Sequence, residues 1–231
     1  VEVRLEGYEQ RENIDYIDHI KSFESDYINS RKGKVLILSR DSQKYLDSLI
    51  RNIESSNELF FTNLQSSKFY IIQDEIPFHF SLPGKVFFFS SGLLKKYIKN
   101  EVMLYCLLAY ELIRSEKNIY QKHIIIPTGS LSTRKILSLL RLKLNDKVEV
   151  HKWAYYVLKR IGIQPDSYLS YLQVVNRNSI DFATQLGDIH SISQEEAKFK
   201  AFLIENEVGK TRKRHSGSST AFYNFIKNIK G

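Results

Sequence analysis

The chain has 231 residues, of which 42% are apolar and 26% are charged, and its formal net charge is +8. This composition is typical of a globular protein and excludes a disordered, collagen-like or coiled-coil chain. No apolar run reaches the roughly 18 residues of a transmembrane helix. The single cysteine, Cys106, excludes an internal disulfide framework and a multi-cysteine zinc site.

The positive charge is concentrated near the C-terminal end of the sequence. Residues 209–231 contain six Lys or Arg and no acid, which leaves 28 basic and 26 acidic side chains, a net charge of +2, for residues 1–208. This predicts a body domain over 1–208 and a basic linker or tail over 209–231 that can lead to a further module. Residues 221–229 are apolar enough either to dock on the body or to begin that module.

Helices are predicted where apolar residues recur every three or four positions, and strands where β-branched and aromatic residues cluster between Gly or Pro. In chain order the predicted elements are a helix at 8–30, an apolar run at 35–38, a helix at 41–53 capped by Asp41, strands at 68–73 and 85–89 separated by a loop, and helices at 100–115, 131–144, 147–161, 167–177 and 193–207. The helix at 100–115 is apolar on nearly all sides, which predicts a buried central helix. The fold is therefore expected to be α+β, mostly helical, with a small β-sheet.

Four segments of the sequence follow one another in an order found in one enzyme family. They are FHFSLPGKVFFFSSGLL at 78–94, NEVMLYCLLAYELIRSE at 100–116, EVHKWAYYVLKRIGIQP at 149–165 and HSISQEEA at 190–197. Over about residues 40–205 the chain thereby resembles the M48 family of zinc metallopeptidases, a zincin-like group that includes periplasmic proteases of the bacterial envelope. The family segments read approximately NAFALPGGxxFVxxGLL, NExELAxVLAHExxH, ExEADxxGxxYLxxAGYxP and HPxxxERI. The resemblance implies a zincin-like metallopeptidase fold.

The spacing of the second family segment follows from zinc chemistry. In HExxH two His lie one helical turn apart and bind zinc, the Glu between them is the general base for a zinc-bound water, and a Glu on a later helix is the third ligand. The resemblance places the two His positions at Tyr110 and Arg114, the general base at Glu111 and the third ligand at Glu149. Two of these four positions are kept and two are replaced.

The two replacements imply that the site has lost zinc. A phenol has a pKa of about 10 and is a poor zinc ligand at neutral pH, and a guanidinium stays charged and has no free lone pair. The resemblance thus implies a metal-free pseudopeptidase without a cofactor, whose vestigial cleft contains Tyr110, Glu111, Arg114, Glu149 and His190. We expect Arg114 to pair with Glu111, Glu149 or both, because unpaired buried carboxylates are costly.

Three other family positions differ in this chain. Phe78 stands in place of an Asn, His151 in place of an Asp and Glu196 in place of an Arg, whereas the late His is kept as His190. A displaced metal site formed by His123, His151 and His190 stays open as an alternative. Such a site would make the protein an active peptidase with a non-standard metal centre.

Two further features each have a structural and a functional interpretation. Cys106, inside the apolar helix, is either a buried inert thiol or a nucleophile. The strand that contains Phe87, Phe88 and Phe89 is either buried between layers or a retained edge that docks a peptide or protein partner. The three Phe residues are therefore the candidate partner-binding residues.

The resemblance implies a catalytically inactive domain that binds a protein partner. It would act as a scaffold in the periplasm or elsewhere in the bacterial cell envelope and support envelope integrity or cell division. The nearly neutral body argues against nucleic-acid binding, which stays open only through the basic tail. Because the chain starts at Val1, we expect any membrane association to come from a segment that precedes it.

Overall fold

The computed structural model describes residues 2–62, 65–123, 129–163, 165–206 and 217–230. Within them the chain is α+β and mainly helical, as the sequence predicts. In chain order the elements are α1 (Glu2–Ser30), β1 (Val35–Leu36), α2 (Arg40–Ser55), β2 (Lys68–Ile72), β3 (His79–Leu82), β4 (Val86–Ser90), α3 (Ser91–Lys96), α4 (Glu101–Glu116), α5 (Thr133–Leu140), α6 (Leu144–Arg160), α7 (Pro165–Arg177), α8 (Ala183–Leu186), α9 (Ser191–Asn206) and α10 (Thr220–Lys230).

The four strands form one mixed sheet in the order β1-β2-β4-β3. The inner strands β2 and β4 are parallel, and β1 and β3 pair antiparallel with them at the two edges. Helices cover both faces of the sheet. Phe87 and Phe89 of β4 belong to the core cluster around α4, whereas Phe88 packs on the opposite face with Phe80 of β3 and Tyr27 of α1. Burial on both faces explains the uninterrupted apolar sequence of β4.

This arrangement corrects the prediction of a partner-docking edge at Phe87, Phe88 and Phe89. Strand β4 is hydrogen-bonded to a neighbour on each side, so it has no free edge. All three Phe side chains are almost completely buried. They stabilise the core and are not accessible to a partner in this structure.

Helix α4 is the predicted buried central helix. Asn100 caps it, since its Oδ1 accepts a hydrogen bond from the Met103 N–H at 2.9 Å. Almost every side chain from Met103 to Ser115 is buried, including the polar residues Glu111 and Arg114. The helix packs against α6, α7, α2 and β3, so its polar residues lie inside the domain rather than on its surface.

Several local predictions differ from the structure. The short helices α3 and α8 were not predicted, and the helix predicted at 131–144 is shorter, since α5 spans Thr133–Leu140. Ser39, not Asp41, caps α2, because its Oγ accepts a hydrogen bond from the Ser42 N–H. Strand β3 lies in a segment predicted to be a loop. A tight turn joins it to β4, in which Gly84 and Lys85 have positive φ angles of 84° and 60°.

The folded domain extends beyond the predicted boundary at residue 208. Helix α10 contains the apolar segment 221–229 and packs on α2 and α3, which agrees with the first of its two expected roles, docking on the body. Its side chains Phe222, Phe225 and Ile229 are buried in the main core cluster. The predicted basic cluster at 210–214 lies outside the described residues.

In the described part of the chain, no helix combines the length and the apolar character needed to cross a bilayer.

Candidate functional site

A polar cluster is buried where α4 crosses β3. The carboxylate of Glu111 lies at its centre: its Oε1 is 2.5 Å from His79 Nδ1, and its Oε2 accepts a hydrogen bond from Ser81 Oγ at 2.6 Å. Arg114 Nη1 lies 3.3 Å from the same Oε2. His79 and Ser81 are two residues apart on a strand, and Glu111 and Arg114 are three apart on a helix, so each pair presents both side chains on one face.

The charge of Glu111 is stabilised although the residue is completely buried. Burial by itself opposes ionisation, but Arg114 and the hydrogen bonds from His79 and Ser81 outweigh it and lower the pKa of Glu111 to about 2. Arg114 is held in turn by the backbone, since its Nη2 donates to the Leu140 carbonyl oxygen at 2.6 Å. Glu111 is therefore a carboxylate across the physiological pH range, with a guanidinium as its counter-ion.

A second buried cluster joins α6, α7 and α9. His151 Nε2 lies 2.5 Å from Glu195 Oε1, and His151 Nδ1 lies 2.6 Å from the Tyr168 hydroxyl. Lys147 Nζ donates to Glu195 Oε2 at 3.1 Å. Burial opposes the charge of Glu195, but His151 and Lys147 lower its pKa below the ordinary value.

The two clusters share one pattern of side chains. The Tyr171 hydroxyl lies 2.9 Å from His79 Nε2, so each cluster is a Tyr–His–Glu chain that ends at a cation. The Tyr110 ring lies between the chains, with its centroid 6.1 Å from that of His79 and 5.0 Å from that of His151. The chains have their charges and hydrogen bonds largely satisfied internally.

A cavity of about 60 Å³ lies beside these chains, and its polar lining includes His79, Tyr110, Arg114, His151 and Glu195. A cavity of this size has room for a few waters and not for a peptide.

The residues at the expected zinc positions do not fit a zinc ion. Burial raises the pKa of Tyr110 above that of an ordinary phenol, so the hydroxyl stays protonated. Arg114 brings a positive charge that is already paired with Glu111. Glu149 does not line the cavity. Its side chain is 58% exposed and forms an ion pair with Lys152 at 2.6 Å.

Three members of the predicted vestigial cleft come together and two do not. Tyr110, Glu111 and Arg114 form part of the buried site, and Arg114 pairs with Glu111 but not with Glu149. The predicted position of Glu149 in the cleft is wrong, since His151 faces Tyr110 instead. His190 is exposed just before α9, and its backbone N–H donates a hydrogen bond to Asp188 Oδ1.

The alternative sites considered from the sequence do not assemble. The ring Nε2 of His123 contacts the Leu139 carbonyl oxygen, whereas His151 is engaged by Tyr168 and Glu195. Among the residues that the structure describes, no three His, Cys, Asp or Glu side chains are arranged to hold a metal ion. Cys106 is buried in the core, and burial raises the pKa of its thiol, which disfavours a nucleophilic role.

Sequence reasoning missed most of the hydrogen-bonding partners in the site. They are His79, Ser81, Lys147 and Glu195. One signal was available in the sequence: His79 and Ser81 alternate with apolar residues in a strand-like pattern. From the sequence, Tyr168 and Tyr171 were expected to belong to the core and cleft wall, and the structure buries both.

Fold and site together define an α+β, mainly helical domain with two buried polar chains beside a small cavity. No protein-family model matches the chain, and no curated protein matches it in sequence. The resemblance to zinc metallopeptidases therefore stays an expectation from the four sequence segments.

Proposed function

We propose that this domain is a zincin-like pseudopeptidase: a catalytically inactive domain that acts as a protein-interaction scaffold. The observation that carries the proposal is the ion pair between Arg114 and Glu111. In the related enzymes the equivalent Glu must accept a proton from a water that zinc activates. A guanidinium beside this carboxylate supplies the positive charge without supplying a metal-bound water.

The hydrogen bonds of Glu111 also argue against catalysis. His79 and Ser81 engage one carboxylate oxygen each, and Arg114 lies against both. A carboxylate whose pKa is about 2 is a weak base at neutral pH, far from the value near the working pH that general-base catalysis favours. The cluster is better suited to holding α4 against β3 than to proton transfer.

The scaffold role and the location in the bacterial cell envelope rest on the resemblance to envelope proteases. A peptidase-like domain that has lost its catalytic residues still has the surface of its fold. Protein binding is the function that such a surface supports. The partner is proposed to be a protein, and the role is proposed to be support of envelope integrity or cell division.

Catalysis and scaffolding are separated by one pair of assays. Purified protein and the Glu111→Gln variant are incubated with unfolded casein, with and without added zinc, and the products are resolved by mass spectrometry. We expect no cleavage by either protein. Cleavage by the unaltered protein that Glu111→Gln abolishes would overturn the proposal.

The proposed scaffold role is tested in the source cell. A strain that lacks the protein is complemented with the unaltered gene or with Glu111→Gln, at matched protein levels. Equal rescue is expected, because the carboxylate has only a structural role. Rescue by the unaltered gene alone, with the variant shown to be folded, would contradict the proposal.

A further inference from the structure

We propose that a groove between α6 and the turn after α2 binds an acidic segment of a protein partner that carries aromatic or branched apolar anchor residues. The groove has a volume of about 600 Å³ and is called the aromatic groove here. The residues that define it are Leu59, Phe60, Trp153, Tyr156, Lys159 and Arg160. This inference rests on the proposed scaffold function and gives it a partner class and a surface.

Large apolar side chains are exposed together in the aromatic groove. Leu59 is 94% exposed, Trp153 47% and Tyr156 42%. The Phe60 and Trp153 ring centroids are 5.2 Å apart, and those of Trp153 and Tyr156 are 6.5 Å apart. Single exposed apolar residues are ordinary, but a contiguous aromatic patch is typical of an interaction site. Trp and Tyr are also the residues that most often dominate binding energy at protein interfaces.

The aromatic groove is preformed. Asn57, at the start of the turn, is buried and its Nδ2 donates to the Ile53 and Val157 carbonyl oxygens at 2.8 and 3.2 Å, which ties the turn to α6. The Tyr156 hydroxyl lies 3.1 Å from Asn206 Oδ1 of α9. A partner would therefore bind without first ordering this surface, which lowers the entropic cost of association.

The charges of the aromatic groove select the partner. Lys159 and Arg160 line it, and none of its lining residues is acidic. Lys117 stands at its edge, with Nζ 4.3 Å from the centroid of the Phe60 ring. Glu58 belongs to the same turn but does not line the groove. An acidic peptide complements these cations, and its apolar anchors would fill the space beside Trp153.

Shape favours a peptide over the other occupants of a basic aromatic surface. The groove has a volume of about 600 Å³, which is room for several side chains of a peptide. Phe60 already packs against the Trp153 ring at an interplanar angle of 31°, which leaves less of that ring for a nucleobase to stack on. Lipid and nucleic acid are therefore alternatives that the experiment must exclude.

Tryptophan fluorescence measures binding in this groove directly, because Trp153 is the only tryptophan of the sequence. The probe is a synthetic twelve-residue peptide of alternating Glu or Asp with Phe or Leu, titrated into the full chain while Trp emission is recorded. Two control peptides replace either the acids by Lys or the Phe and Leu by Ser. We expect saturable binding of the first peptide with a shift of the emission to shorter wavelength, and no binding of either control.

Variants assign the binding to the groove. Fluorescence polarisation of the labelled peptide is compared for Trp153→Ala and Arg160→Glu, with Tyr223→Ala and Lys44→Glu as matched exposed controls on α10 and α2. We expect Trp153→Ala to weaken binding about tenfold or more and Arg160→Glu to weaken it severalfold. The control variants should bind as the parent does.

Several results would overturn the inference. They are equal binding of the acidic peptide by Trp153→Ala, equal binding of the Lys peptide, or Trp153-dependent binding of phosphatidylglycerol vesicles or single-stranded oligonucleotide in place of the peptide. Failure here leaves the proposed scaffold function standing. Casein cleavage that depends on Glu111 would overturn that function without affecting peptide binding in the groove.

Discussion

The guanidinium of Arg114 lies one helical turn from the carboxylate of Glu111 and 3.3 Å from its Oε2, with both side chains buried. A buried ion pair need not make a protein more stable than an apolar pair would. Removal of one partner is costly, however, because the other charge then stays buried and unpaired. The pair therefore predicts a definite dependence of stability on pH.

Glu111→Gln should lower the free energy of unfolding at pH 7 by roughly 3–5 kcal/mol. The pKa of Glu111 is lowered from 4.5 to about 2, so its contribution is complete above pH 4.5 and is lost as the pH falls toward 2. The difference between the variant and the parent should shrink over that interval. Urea unfolding at a series of pH values measures it.

Glu149→Gln is the matched control for this prediction. Its carboxylate is exposed and paired only with Lys152 on the surface, so we expect a change below about 0.5 kcal/mol. A difference between Glu111→Gln and the parent that is small at pH 7, or that does not depend on pH, would contradict the assignment of the buried pair.

Tyr168 and Tyr171 allow a test of the two polar chains. Tyr168→Phe and Tyr171→Phe each leave one buried histidine nitrogen without its hydroxyl partner, and each should cost about 1–3 kcal/mol of stability. The ring centroids of the two residues are 6.5 Å apart, but both substitutions keep the rings and remove hydroxyls that bond different histidines, so the double variant should be additive within about 0.5 kcal/mol. Chemical denaturation of the parent, single and double variants gives the coupling energy. A larger coupling would mean that the chains act as one network.

Helix α10 is expected to belong to the folded domain. Phe225→Ala should destabilise the protein by about 3–5 kcal/mol, because the side chain is buried against α2 and α3. Tyr223→Ala on the same helix removes an exposed ring and should change stability by less than about 0.5 kcal/mol. Thermal unfolding distinguishes the two. Equal and small effects of the two substitutions would mean that α10 does not contribute to the folded core and belongs to a tail.

Restoring two histidines tests which residue occupies the third ligand position. The double variant Tyr110→His with Arg114→His should bind zinc, with His151 as a ligand, because His151 faces the Tyr110 ring. Added zinc should raise its unfolding temperature and leave that of the parent unchanged. A further His151→Phe change should abolish the effect, and Glu149→Gln should not. The opposite pattern would place Glu149 in the cleft.

The sequence predicted seven helices, α1, α2, α4, α5, α6, α7 and α9, because their apolar residues recur every three or four positions, but it did not predict α3, α8 or α10 as helices. It also predicted α4 as the buried centre, because that helix is apolar on nearly all sides. Strand β3 was missed since it is short and stands between Pro77 and Pro83, which made a loop the simpler interpretation. With β3 missed, His79 and Ser81 could not be placed beside Glu111.

The site was predicted only in the part that one helix defines. Tyr110, Glu111 and Arg114 share α4, so their proximity follows from helical spacing. Glu149 and His151 are two residues apart on α6, which corresponds to opposite faces of a helix at 3.6 residues per turn. The prediction that Glu149 is the third ligand therefore assigned the exposed face of α6 to the cleft, whereas the buried face carries His151. The partners from α7 and α9 meet through tertiary packing, which local patterns do not encode.

The proposed function places Arg114 at the position where zinc metallopeptidases hold their metal. The most direct measurement is the zinc content of the purified full chain, before and after incubation with excess zinc and removal of the unbound ion. We expect zinc far below one ion per chain in both samples and no change in unfolding temperature with a chelator. One firmly held zinc per chain, with stability that the chelator removes, would contradict the account.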